Sequence, residues 1–267
     1  MNYRLIALDL DGTLLNDEKK ISETDAAAVR RAAEAGYIVM IATGRPYRAA
    51  SWVFDQIGVK KGLILAHSGS AIYRYPGEEK LWSGGFDEAF LSDLLAFSKE
   101  HQVYFHCNVG SEYFFVAEGE MADLTEVYLG YRGIVTEEAR IVSLPAEKAT
   151  VLLPAERTDG ITAALTERFA GRATPVKGCP DVIDITPYGI DKATALIHAA
   201  ELLNIPIEET VAVGDSANDV PIIRAAGLGV CMANGVPEAL EAADVVAPSN
   251  NENGVAHVIG KYLFGEE

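Results

Sequence analysis

Cysteine is scarce in this chain, and cations are few. Its 267 residues include three cysteines, Cys107, Cys179 and Cys231. The number is odd, and the spacings match neither a zinc site nor a disulfide framework. They read as reduced, mostly buried thiols of a cytoplasmic protein. Lysine and arginine number 22 against 39 aspartates and glutamates, for a net charge of −17. That deficit argues against a nucleic-acid polyanion as partner. It argues less against a small anionic ester, because a bound cation and one or two placed basic side chains invert the field locally. No apolar run is long enough to span a bilayer, and neither repeats nor low-complexity segments are visible. The N-terminal run MNYRLIALDLD enters a strand pattern directly and does not read as a signal peptide. The expected partner is a small molecule, with no nucleic acid and no membrane, and the expected state is monomer or homodimer.

What is present is a normal globular composition, 49% hydrophobic and 23% charged, with strand and helix signals alternating at both ends. RLIALDL, YIVMIAT and GLILAHS read as strands. Between the first two, Ser22 reads as an N-cap with Asp25 three residues on, and the helix runs to a stop at Gly36. A second helix follows Gly44-Arg45-Pro46 and ends near Ile57. After Tyr188 the alternation resumes through DKATALIHAAELL, TVAVGD, PIIRAAG, GVCMAN, PEALEAA and DVVAP to a last helix near Leu263. This pattern predicts an α/β fold with a Rossmann-like, doubly wound parallel core sheet. The middle of the chain reads as α+β: a helix in FDEAFLSDLLAFSKEH, a hairpin of VYFHCNV and EYFFVAEG across Gly110-Ser111, strands in RIVSLPAEKATVLLP and DVIDITP, and a helix in TDGITAALTERFAG. The expected division is therefore a discontinuous core, residues 1–83 and 188–267, with an inserted domain at 84–187.

Chemistry concentrates at the ends of the core strands. In Ile6–Leu15, IALDLDGTLL, a short apolar strand ends in Asp9 and Asp11, followed by Gly-Thr. Alternate strand positions share a face, so both carboxyls can enter one pocket at the carboxyl end of the strand, where open α/β sheets bind ligands. Two adjacent acids call for Mg²⁺, a shared proton, or both. Thr43-Gly44 at the next strand end offers a hydroxyl and backbone N–H groups to a phosphate; taken alone, it reads more readily as a helix cap. Lys192 stands at the start of a helix, where a cation is unfavourable unless an anion is near; taken alone, it reads as a solvated partner of Asp191. GDSANDVPII places Asp215 at another strand end, with Ser216, Asn218 and Asp219 behind it and Pro221 opening a helix. Asp9 and Asp215 would suit a hard cation, which prefers one or two carboxylates.

These four pieces, in this order, resemble the four motifs of the haloacid dehalogenase superfamily: DxDGT, a small hydroxyl residue, a lysine, and GDxxND. The ATGR form of the second motif, the insertion after the third strand and the tail MANG…SNNENGVA resemble its Cof-type Mg²⁺-dependent phosphatases. The resemblance implies an α+β cap on the inserted segment and phosphoryl transfer through an aspartyl-phosphate. It implies Asp9 as nucleophile and Asp11 as general acid and base. Metal ligands would be Asp9, Asp11 through its carbonyl, and Asp215, with Mg²⁺ as cofactor. Leu10, Thr43, Gly44, Lys192 and Asn218 would bind phosphate. Asp219, Ser216, Arg45 and Asn250 are expected nearby.

The chain departs from the family's pattern at Gly189-Ile190-Asp191-Lys192-Ala193, where GxSKG or GxNKG is usual. It departs again at Ser68-Gly69, where Asn-Gly is usual, and at Leu240, often a lysine. These differences bear on the pocket lining rather than on the chemistry. His67 reads as a hydrogen-bonded structural residue, and Tyr113, Phe114 and Phe115 as the core and sheet face of the insert. The expected function is hydrolysis of small phosphorylated metabolites, such as sugar phosphates. A phosphomutase with the same nucleophile and a non-enzymatic phosphometabolite sensor are the alternatives.

Overall fold

The computed structural model describes residues 3–266. Along the chain the first elements are β1 (Leu5–Leu8), α1 (Glu23–Glu34), β2 (Ile38–Ala42), α2 (Tyr47–Ile57), β3 (Gly62–Ala66), β4 (Ala71–Tyr75) and β5 (Glu79–Ser83). The middle carries α3 (Glu88–His101), β6 (Tyr104–Val109), β7 (Glu112–Phe115), α4 (Glu120–Leu129), β8 (Ile134–Val135), α5 (Glu138–Val142), β9 (Lys148–Leu152), α6 (Thr158–Arg168), β10 (Ala173–Cys179) and β11 (Val182–Pro187). The last part holds α7 (Lys192–Leu203), β12 (Thr210–Gly214), α8 (Val220–Ala225), β13 (Leu228–Met232), α9 (Pro237–Ala242), β14 (Val245–Ala247) and α10 (Gly254–Val258).

The chain divides into two compact units: residues 1–44, 50–82 and 191–267 form one, and residues 45–49 and 83–190 form the other. The first unit is built on an eight-stranded sheet in the order β14-β13-β12-β1-β2-β3-β4-β5. Its six strands from β14 to β3 are parallel, so their carboxyl ends share one edge. β1, β2 and β12 are buried along almost their whole length, as strands covered on both faces must be, and they are correspondingly apolar. Helix α1 starts where Ser22 accepts the Asp25 N–H and buries Asp25, Val29 and Ala32, a spacing that keeps one helical face inward. β4 runs antiparallel to β3, and with β5 it widens the sheet by strands that the hydrophobic pattern did not reveal.

The second unit has a six-stranded sheet in the order β10-β11-β9-β6-β7-β8. One face packs Phe105, Cys107, Ala149, Val151, Ile183 and Ile185 against the apolar sides of α3, α5 and α6. Tyr113 and Phe115 pack with Ala122 of α4. The expected hairpin across Gly110-Ser111 is present, with β6 and β7 antiparallel. The expected strand beginning at Arg140 is instead the end of α5, which starts at Glu138; Ile141 is buried on a helical rather than an extended backbone. Cys107 and Cys231 are buried and Cys179 is exposed, and all three are thiols rather than disulfides. Burial pushes the Cys107 thiol up to about 12 and the Cys231 thiol up to about 11, so both are held neutral and unreactive.

Candidate active site

The parallel topology brings the ends of β1, β2, β3 and β12 to one edge of the first unit. Asp9 directly follows β1, Thr43 follows β2, His67 follows β3 and Asp215 follows β12. The Gly-Thr after Asp11 then has a local purpose. Gly12 has φ +90°, and a Cβ there would lie 2.3 Å from an Asp215 carboxylate oxygen, so only glycine lets β1's exit loop approach that carboxylate. Thr13 donates its hydroxyl to Asp215 Oδ1 at 2.7 Å. Neither contact is visible in the spacing of the residues, because the partners are 202 positions apart for Thr13.

Lys192 is the centre of the site. It is 1% exposed, the first residue of α7, and its Nζ lies 2.6 Å from both Asp9 Oδ1 and Asp219 Oδ1. Asp191 serves as N-cap of α7, accepting from the Thr194 N–H. One carboxylate oxygen from each of Asp9, Asp215 and Asp219 lies within 4.8 Å of the others. Asp219 is fully bonded: Oδ1 meets Lys192, and Oδ2 accepts from the Asp215 and Ser216 N–H groups and the Ser216 hydroxyl. Asp9 and Asp215 each keep one carboxylate oxygen outside the bonds to Lys192 and Thr13. Asn218 Oδ1 lies 2.7 Å from the Ser216 hydroxyl, whose single proton it shares with Asp219 Oδ2.

The electrostatics follow from three buried acids around one ammonium. Burial, then the Asp219 carboxylate, pushes the Asp9 carboxyl well above the usual range; Lys192 pulls it down and Asp215 adds to the rise. Burial is also the main cause that lifts Asp215 to about 6, against the hydrogen bond from Thr13. For Lys192, burial opposes the charge, but Asp219 and Asp9 overcome it and raise the pKa. An excess of acid that a single lysine does not balance is what a divalent cation would relieve. Among the described residues, Asp9 and Asp215 each have a carboxylate oxygen outside these bonds, and they are the ones that fit it.

Other residues singled out in the sequence have defined places. Asp11 is half-buried, and Lys19 Nζ lies 3.0 Å from its Oδ1; the lysine sits at φ +59° and carried no motif signal. Leu10 is fully buried, and its carbonyl accepts from the Thr13 and Leu15 N–H groups. Thr43 is buried, with its N–H on the Leu65 carbonyl; Gly44 follows it in the first unit, and Arg45 belongs to the segment grouped with the second unit. Asn250 donates to the Leu15 carbonyl and to Asp17, so its amide N–H groups brace the loop after β1. Asn234, which was not singled out, donates to the Gly12 carbonyl at 2.8 Å. His67 is buried, with φ +55°.

A family model of haloacid dehalogenase-like hydrolases matches residues 6–259. The chain belongs to this family, in its Cof-type branch. It is thus a hydrolase by descent. YxeH of Bacillus subtilis is 31% identical over 274 residues, covering 99% of this chain and all of that protein. The 5-amino-6-(5-phospho-D-ribitylamino)uracil phosphatase YitU of the same organism is 29% identical over 272 residues, covering 97% of each chain. Among solved structures, a haloacid dehalogenase-like hydrolase from Bacteroides thetaiotaomicron superposes with a TM-score of 0.88 at 27% identity, covering 97% of this chain and 99% of its own.

Proposed function

We propose that this protein is a Mg²⁺-dependent phosphatase that hydrolyses small phosphorylated metabolites through an aspartyl-phosphate. The observation that carries the reading is the buried cluster of Asp9, Asp215 and Asp219 around Lys192, with Asp11 two residues beyond Asp9. Mg²⁺ would be held by Asp9, Asp215 and the Asp11 carbonyl, and would neutralise charge on the phosphoryl oxygens.

The chain's own residues then have separable tasks. Asp9, whose Oδ1 is bonded to Lys192, attacks phosphorus through its carboxylate, forming an acyl-phosphate as the ester oxygen leaves. Lys192 opposes the burial and the neighbouring acids that raise the Asp9 pKa, and so favours the ionised carboxylate that a nucleophile requires. Asp11 gives a proton to the leaving oxygen, then takes one from the water that attacks the acyl-phosphate; inorganic phosphate departs and Asp9 is restored. Thr43, Gly44, Asn218 and Lys192 are assigned to the phosphoryl oxygens, where fixed donors contribute most in phosphoryl transfer. Asp219 holds Lys192 and the start of the loop after β12. Selection among esters is assigned to the inserted segment, residues 84–187.

The test is a phosphate-release screen over phosphorylated metabolites, with Mg²⁺ and with chelator. Release from at least one ester in Mg²⁺, abolished by chelator, is expected. No release from any ester, or full release in chelator, overturns the reading.

A further inference from the structure

The turn after β3 is held in a backbone conformation that its residues do not favour. His67, Ser68 and Gly69 have φ of +55°, +56° and +107° in succession, and all three are buried. Non-glycine residues in the left-handed region are disfavoured and persist where the surroundings enforce them, often at functional sites. The enforcement is visible on both sides of this arch. The Ser68 N–H donates to the Thr43 carbonyl at 3.1 Å. On the other side, a Cβ on Gly69 would lie 2.0 Å from the Asp191 carbonyl oxygen and 2.8 Å from the Lys192 nitrogen. The arch therefore seats its bare Cα against the peptide that opens α7, while its other end is tied to the loop after β2.

We propose that this arch positions the phosphoryl-binding groups of the first unit, with Gly69 as the positioning residue that sets where α7 begins and hence where Lys192 reaches Asp9 and Asp219. The inference rests on the phosphoryl role given to Lys192 above. The Lys192 contacts are both 2.6 Å, at the short end for charge-assisted bonds, so displacement of α7's first turn shows directly in them. Among the described residues the Ser68 hydroxyl has no hydrogen-bond partner, so it is the arch's backbone shape, not that hydroxyl, that makes the connection.

The test compares full-length variants in two readouts. Acylation of Lys192 by an amine reagent, followed by mass spectrometry, reports its position independently of turnover. Steady-state phosphate release, split into kcat and KM, reports the consequence. Gly69→Ala should make Lys192 at least about tenfold more reactive to acylation and lower kcat/KM by about 10²-fold, the scale of a displacement near one ångström. Gly227→Ala is the control, because its Cβ would meet the Glu208 carbonyl oxygen at 2.1 Å, a similar clash at the far end of β13. At matched thermal stability it should leave Lys192 protected. Should Gly69→Ala not fold, Ser68→Val and Ser68→Asn replace it. Valine resists the left-handed region and asparagine tolerates it, so the valine variant should lose more in both readouts. Equal losses in Gly69→Ala and Gly227→Ala at matched stability, or equal losses in the two Ser68 variants, overturn the proposal. Unprotected Lys192 with unchanged turnover also overturns it. If no phosphate is released even by the unmodified protein, the functional reading fails, and the acylation contrast still decides whether the arch places Lys192.

Discussion

Replacing Lys192 by methionine removes one charge and leaves two. Lys192 is 1% exposed and bonded at 2.6 Å to Asp9 and Asp219, which are themselves 6% and 0% exposed. Breaking a buried pair in this way costs about 3–5 kcal/mol, because the surviving charges are uncompensated. In a domain of this size each kcal/mol moves Tm by about 2–4 °C, so the loss should be on the order of 10 °C at pH 8. The loss should shrink on acidification. Asp9 already has a folded pKa raised by burial and by Asp219, and Lys192 is the group that lowers it. Without Lys192 the folded pKa rises further above the unfolded value. An acid raised on folding binds more protons folded than unfolded, so its ionisation removes stability as pH climbs through that window. The variant should thus approach the parent near pH 5 and fall away above it. Thermal unfolding of both proteins in metal-free buffer, from pH 5 to pH 8, checks this. A variant as stable as the parent at pH 8 would mean that the acids are already protonated there, and the ion bridge at the centre of the site would not exist.

The raised pKa values of Asp9 and of Asp215, the latter about 6, predict that Mg²⁺ raises Tm more at pH 7.5 than at pH 5, where protons compete for the same oxygens; an equal shift at both pH values refutes it. Thr13→Val deletes the hydroxyl bonded to Asp215 at 2.7 Å and should weaken the apparent Mg²⁺ affinity about fivefold, the scale of one net hydrogen bond, as read by Mg²⁺ titration of turnover. Asp9→Asn should abolish phosphoenzyme and turnover together. Asp11→Asn should lower kcat on an alkyl phosphate by ~10² or more, with a smaller deficit on p-nitrophenyl phosphate, whose leaving group needs little protonation; equal deficits in phosphoenzyme formation on both would remove Asp11 as general acid.

The sequence made the strand ends legible because each combines an apolar run with a polar residue that has no reason to terminate a buried strand. Asp9, Thr43 and Asp215 are all of this kind, and parallel pairing of β2, β1 and β12 brings them to one edge. Lys192 was legible only through its place in the order of the four motifs, since alone it read as a solvated partner of Asp191. What could not be read are contacts made across the fold by residues that are unremarkable locally. Thr13 looks like a turn residue until Asp215 is beside it, and Lys19 looks like a surface lysine until its ammonium reaches Asp11. The left-handed backbone at His67 and Ser68 left no trace because neither residue type signals it. β10 was missed for a related reason: ATPVKGC carries a proline and a glycine within an edge strand and lacks clean alternation. Asp191 read as a solvated partner of Lys192, whereas the fold uses it to cap α7.

The order of the central strands has a consequence for how the protein is made. β1 lies between β2 and β12, and Asp9 meets Lys192 across a sequence separation of 183 residues. A nascent chain that has released β1, α1 and β2 carries the acidic loop but exposes one unpaired edge of a fully apolar strand. Such an edge is a template for pairing with other chains, and closure over so long a loop is slow. Until α7 arrives Asp9 lacks its lysine, and until the segment after β12 arrives that lysine lacks Asp219. Fragments ending before Thr210 should consequently be both inert and prone to aggregate, and holding that one edge covered during synthesis is a natural task for a chaperone.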